Sequence, residues 1–140
     1  MRRYLLALAI AWIALSAQTA PLHYSAGQVW QYRTRPQDAG SRVKIQRVER
    51  IGDSDVYHVS IVGLHFRTEQ VIGTLPHLPV SRQTLDKSVT ELAPSAPADF
   101  PDDAVDAGIA EWRRAEGGVF TISLAEIADF LDDQLSGAVR

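Results

Sequence analysis

No cysteine occurs anywhere in the 140 residues, which rules out disulfides, thiol nucleophiles, thiolate metal ligands and a lipid-modified cysteine at the N-terminus. Imidazoles are few: His23, His58, His65 and His77. They form neither the HxxxH pair of a helical metal site nor a Cys/His spacing, so no metal or cofactor is expected. The longest uncharged apolar run, residues 5–15, is about half of the roughly 20 residues a membrane-crossing helix needs. Charge of one sign is not in excess either: 14 basic and 17 acidic residues give −3, which speaks against a nucleic-acid partner. There is no G-x-S-x-G elbow, no internal repeat and no low-complexity tract. DFPDDAVD lacks the alternating oxygen ligands, central glycine and closing glutamate of a calcium loop, and its carboxylates suit a helix N-terminus instead.

What is present begins with a leader. MRRYLLALAIAWIALSAQTAP has basic Arg2 and Arg3, then the apolar run, then small and polar residues, the layout of a secretory signal peptide. Cleavage is expected after Ala17, because Pro21 disfavours a cut after Ala20. Residues 1–17 therefore read as a signal peptide and 18–140 as one α+β domain, periplasmic or secreted, with no stable membrane insertion once the leader is gone. A domain of that length buries a real core without disulfides. Loss of Arg2 and Arg3 takes the formal charge to −5. Residues 33–50 hold six basic and two acidic side chains, whereas 99–133 hold ten acidic ones against Arg113 and Arg114. The two ends of the domain attract each other.

Alternation predicts a first strand over 28–34, with Trp30 and Tyr32 on one face and Val29, Gln31 and Arg33 on the other. Pro36 ends it, and PQDAGS reads as the turn of a hairpin. A second strand over 42–51 alternates Val43 and Ile45 and then changes phase at Val48, which asks for a bulge near Gln46 or Arg47. GDSD is the next turn, 56–64 the strongest strand, and 66–72 a fourth. LPHLP, with two prolines, is expected to break both ladders and helices.

Helices are expected to follow. Ser81 caps one running to about residue 92, with Leu85, Val89 and Leu92 on one face. After the Pro/Ala linker APSAPADFP, a second covers about 102–115, with Val105, Ile109 and Trp112 in a stripe and Gly117 as its left-handed stop. GVFTI reads as a short strand. Ser123 and Glu126 then form a capping box, with Ile122 and Ile127 as a staple, opening a third helix that buries Leu124, Ile127, Ala128, Leu131 and Leu135. The fold class is α+β: a curved antiparallel sheet, in the form of an SH3-like half-barrel, followed by about three helices.

AGQVWQYRTRP, LDKSVTEL and EWRRAEGGVFTIS together resemble a group of small uncharacterised bacterial proteins that start with Gly-x-Val/Ile-Trp-x-Tyr/Phe-x-Thr-Arg-Pro. The resemblance spans most of the chain after the leader and implies a single domain; no catalytic residue or ligand comes with it.

The candidate binding residues are Trp30, Tyr32, Arg33 and Arg35. Two apart on a strand, the arginines are expected to point the same way and to grip a carboxylate or phosphate; the other reading pairs them with acids of the C-terminal helices. No catalytic residue is assigned: Ser60 and His58 share a strand face but stand about 7 Å apart, too far for direct proton transfer. The expected function is an exported, non-enzymatic binding or accessory module that takes a protein or small anionic partner on a basic aromatic hairpin. The alternative is a small hydrolase or transferase using His58 or His77 near Arg33 and Arg35. The exported protein is expected to begin at Gln18; a cell fractionation finding only full-length chain fixed in the inner membrane would overturn the leader.

Overall fold

The computed structural model describes residues 21–68, 73–94 and 99–138. The leader, the second half of the expected fourth strand (69–72) and the middle of the Pro/Ala linker (95–98) lie outside the described residues. Five strands and three α-helices are present among them: β1 (Val29–Tyr32), β2 (Arg42–Ile51), β3 (Ser54–Val62), β4 (Leu75–Ser81), α1 (Arg82–Ser88), β5 (Val89–Leu92), α2 (Val105–Arg114) and α3 (Leu124–Ala138). Short 3-10 turns at Pro36–Asp38 and Asp102–Ala104 complete the set.

The strands form one open antiparallel sheet in the order β4-β3-β2-β1-β5. Its curvature follows from a connection. The seven residues of α1 carry the chain from β4 at one edge to β5 at the other, a helix of about 10 Å, whereas the outer strands of a flat five-stranded sheet would lie about 19 Å apart. The sheet has to bend round the helix. The fold is thus α+β with a curved antiparallel sheet, but α1 interrupts the strands rather than following them.

Alternation divides the sheet into two unlike faces. On the concave face Trp30, Tyr32, Val43, Ile45, Tyr57, Val59, Ile61, Leu78 and Val80 pack with Leu85 of α1 and Leu124, Ile127 and Ala128 of α3 into one apolar core. Burial of each such side chain contributes roughly 1.5–3 kcal/mol. The other face is polar at its centre, with His58 and Ser60 fully buried, and α2 lies over it. Between the faces sits the expected bulge: β2 and β3 pair Ile45 with Val59 and then Arg47 with His58, leaving Gln46 extra. Gln46 turns inward and its amide donates to Ser60 Oγ at 3.2 Å and to Asp102 Oδ1 at 2.8 Å.

Several boundaries differ from the sequence expectation. LPHLP is a strand, β4, despite Pro76 and Pro79, because β4 is an edge and proline is tolerated where its missing donor faces away from the ladder. That outer side is instead strapped by Phe120, whose N–H donates to Pro79 O at 3.0 Å and whose carbonyl accepts from the Ser81 amide at 2.9 Å. GVFTI makes only this isolated bridge. Ser81 does cap α1, its hydroxyl accepting from the Thr84 amide at 3.2 Å, but α1 stops at Ser88, and Val89 and Leu92 pair with β1 instead. Residues 66–68 are not part of a strand. At the end of α2 the left-handed residue is Glu116, at φ +49°. Gly117 answers to space, since a Cβ there would fall 2.3 Å from the Trp112 ring. The capping box of α3 forms as read: Ser123 N–H donates to Glu126 Oε2 at 2.9 Å and Glu126 N–H to Ser123 Oγ at 3.2 Å, while Ile122 stays 38% exposed.

Arg35 is the buried tie between hairpin and helix. Its Nε donates to Asp38 Oδ2 at 2.6 Å, one terminal nitrogen reaches Asp132 Oδ2 at 3.0 Å, and the other donates to the His65 carbonyl at 3.1 Å. Asp38 and Asp132 are as buried as Arg35 itself. The bond to Asp38 above all holds the guanidinium protonated. Burial works against the Asp132 charge, yet the Arg67 amide and the Arg35 guanidinium outweigh it and keep the carboxyl below its usual range. Truncating Arg35 strands two buried carboxylates, at a cost of about 3–5 kcal/mol. The Arg35→Ala protein is therefore expected to melt about 10 °C or more below wild type, and Arg33→Ala within about 3 °C of it; equal midpoints for the two variants in a calorimetric scan would refute the anchor.

Candidate functional site

The four residues expected to form a binding patch do not share a surface. Trp30, Tyr32 and Arg35 are buried, and Arg33 alone is exposed. The parity argument for the two arginines stops short because β1 ends at Tyr32, so Arg35 lies beyond the strand and turns inward at the start of the 3-10 turn. Trp30 Nε1 donates to Gln28 Oε1 at 3.1 Å. Tyr32 Oη lies 2.6 Å from Ser41 Oγ, which itself donates to the Val62 carbonyl, so the phenol is the donor; burial pushes its pKa up to about 12. Arg33 donates to the Lys87 carbonyl at 3.0 Å across the β1–α1 corner.

The attraction between basic and acidic halves is satisfied within the fold. Lys44 meets Asp102 at 2.8 Å, Arg47 meets Asp106 at 3.3 Å and Arg35 meets Asp132. Half of the six cations thus pair with C-terminal acids: Lys44 with the 3-10 turn before α2, Arg47 with α2 and Arg35 with α3.

The functional geometry lies at the other end of β2. After the bulge, Arg47 and Glu49 stand opposite His58 and Val56 and so face α2. Glu49 Oε2 is 2.9 Å from His58 Nε2, and His58 Nδ1 is 2.8 Å from His77 Nε2. Satisfying both bonds assigns the protons: His58 donates from Nε2 to the carboxylate, and His77 donates from Nε2 to His58 Nδ1. Arg113 of α2 closes the line, donating to Glu49 Oε1 at 2.6 Å. The bonds from Arg113 and His58 hold the Glu49 carboxyl below its usual range. Trp112 stands edge-on to His58 at 5.1 Å. Gly108 lets α2 pass directly over His77, where any Cβ would come within 2.5 Å of the histidine Cβ.

Beside this line is a hollow of about 420 Å³, bordered by Arg47, Val48 and Glu49 of β2, His58, and Ile109 and Arg113 of α2. It adjoins a smaller one formed by Ile51, Trp112 and Arg113. Val48 and Ile51 are 40% and 46% exposed; Ile51 shares the α2 side of the strand with Arg47 and Glu49, whereas Val48, paired with Tyr57, directs its side chain to the other face. Sequence reading named His58 and His77 separately. It missed Glu49, Val48, Trp112 and Arg113, whose meeting depends on the phase change at Gln46 and on where α2 lands. Among the described residues no group of three or more His, Asp or Glu side chains is placed to hold a metal ion, and no described helix is long and apolar enough to cross a membrane.

Compared with protein-family models, curated proteins and solved structures, the chain matches none.

Burial first, and the adjoining His58 imidazole second, lower the His77 pKa from 6.5 to about 4. Between those values the unfolded chain takes up a proton that the folded one refuses, so stability falls as pH drops from 6.5 toward 4 and is unaffected by His77 above 6.5. Because the ring is partly exposed, screening reduces the effect to about 1–2 kcal/mol. Urea midpoints between about pH 7 and 5 are expected to decline in the wild type and to decline less in His77→Gln, which can still donate to His58 but cannot titrate. Parallel curves for the two proteins would contradict this role.

Proposed function

We propose that the protein is an exported, non-enzymatic binding module that takes a protein partner at the open side of β2 beside α2. The observation that carries this reading is a gap in the sheet. β1 pairs with β2 only at Val43 and Lys44, and the last bonds on that side join Ile45 to Gly27 and Gln28. Among the described residues no strand covers that side of residues 46–51. An uncovered strand next to a concave surface is a seat for a further extended segment, with backbone bonds giving affinity and the hollow giving selectivity. The leader-like N-terminus supports a location outside the cytoplasm.

A small anionic ligand is less well served. Arg47 and Arg113 border the hollow, but Asp106 and Glu49 already neutralise them. One feature favours a second, catalytic reading: a carboxylate fixed on one nitrogen of His58 is the arrangement that orients an imidazole base. Against it, the other nitrogen is directed at His77 rather than into the hollow, and Arg35 engages Asp38 and α3 instead of the histidines.

Immobilised wild-type protein is expected to retain a partner from periplasmic extract at low and moderate salt, and Val48→Glu protein to lose it, because the substitution puts a charge on the open strand and leaves the core alone. Recovery of nothing on either, or of the same set on both, would remove this site.

A further inference from the structure

We infer that the occupant of this edge is the free C-terminal tail of a partner protein, laid antiparallel to β2 as an added strand whose last residue stands opposite Arg47. The inference rests on the reading of the β2–α2 side as a binding surface and names the chemistry of its occupant.

Backbone geometry sets the length of the seat. Gly52, at φ +60°, opens a two-residue turn that makes Ile51 and Ser54 opposite partners. In such a hairpin the flanking pair is hydrogen-bonded, and bonded and non-bonded pairs alternate from there. Ile51, Glu49 and Arg47 therefore bond to β3, while Val48 and Arg50 direct their N–H and C=O groups outward, where no backbone group among the described residues takes them. At the bulge the vacancy stops. Ile45 is already engaged, its carbonyl accepting from the Gly27 amide at 2.7 Å and its amide donating to the Gln28 carbonyl at 2.9 Å, so Gly27 stands in line with any strand added beside residues 47–51. The seat is open past Gly52 and blind at Gln46.

A blind seat suits a chain that ends there. Just before Gly27 the chain passes to the concave face, where Tyr24 packs on Trp30 and Tyr57, and on the other face Arg47 meets Asp106. A segment that continued past Arg47 would find only a sideways exit between them; a terminus needs none. Charge then sets the direction. Because β1 runs antiparallel to β2, an added antiparallel strand points its C-terminal end at Gly27 and a parallel one its N-terminal end. Arg47 folds back on its own strand, one terminal nitrogen donating to the Gln46 carbonyl at 2.9 Å, while Asp106 meets only the other, at 3.3 Å from α2. The half-exposed guanidinium at the blind end attracts a carboxylate and repels an ammonium. Its pair with Asp106 is an exposed one, worth little, so it is able to take a second acceptor. Tail side chains on the α2 face stand opposite Arg47, Glu49 and Ile51. The last of the tail thus enters the hollow of about 420 Å³ against Ile109 and Ala110, and the fifth from the end meets Ile51 and Trp112 at the smaller hollow. Both positions select apolar residues.

The test uses synthetic arrays of short random peptides, anchored by the N-terminus with a free C-terminal carboxylate, anchored likewise but ending in an amide, or anchored by the C-terminus. Purified wild-type protein is expected to bind members of the first array whose last and fifth-from-last residues are apolar. Amidation of those peptides should weaken binding about tenfold or more; two glycines added after the last residue should abolish it, and two added before the first should not. Arg47→Gln protein should melt as the wild type does and bind the acid and amide forms of one peptide equally, and the bound acid form should protect the Val48 and Arg50 amides of the wild type from hydrogen exchange. Equal wild-type binding of acids, amides and C-terminally extended peptides would overturn the tail and leave a seat for an extended segment of any kind. Binding to none of the arrays would overturn the tail as well; Val48-dependent capture of a protein from periplasmic extract would then keep the binding surface, and its failure would remove both readings.

Discussion

Inserting Gln46 between two paired stretches of β2 shifts the strand's alternation by one position, and most of the charged architecture follows from that shift. Before the bulge Val43 and Ile45 point into the apolar core and Lys44 points away; after it Arg47 and Glu49 point away too. Were Gln46 paired in regular register instead of bulged, strict alternation would send Arg47 and Glu49 to the core face and Val48 toward α2. The bulge also offers its own side chain to Ser60 and Asp102, so the segment leading into α2 is fastened at the very point where the phase changes. A bulge also bends its strand, and the ladder between β1 and β2 ends just before it, at Lys44.

The two faces of the sheet consequently obey different physics. The concave side is sealed by dispersion and exclusion of water. The other is sealed by matched polar groups: Ser60 donates to the Pro76 carbonyl at 2.7 Å, His58 is satisfied on both nitrogens, and Glu49 joins α2 to the strand below. Such an arrangement tolerates little editing, because a buried donor or acceptor left alone costs about 1–3 kcal/mol. Opposite charges of the two halves of the chain meet here, between the sheet and the segments packed on it.

Local signals were legible in the sequence and tertiary ones were not. The bounds of β2, the bulge, the Ser81 cap and the Ser123–Glu126 capping box all depend on neighbours a few residues apart, and each stands where period and side-chain chemistry put it. Two prolines hid β4, because their effect hinges on which side of the strand is vacant, a property of the sheet and not of the segment. Val89 and Leu92 fitted a helical stripe as well as a strand; β1 claimed them. Arg33 and Arg35 look equivalent when counted two apart, and they separate because β1 ends before either. The line from Arg113 to His77 joins four separate elements, and no spacing in one chain announces such a meeting.

The tie between Arg35 and Asp132 spans 97 positions, and closing a loop that long costs about 4 kcal/mol of chain entropy. Until α3 arrives, the guanidinium at the turn of the first hairpin has Asp38 and the His65 carbonyl to meet it but not Asp132. Completion of the earliest part of the domain therefore waits for the latest. A chain that has delivered only its first hundred residues lacks both Asp132 for Arg35 and Leu124, Ile127 and Ala128 for the apolar core.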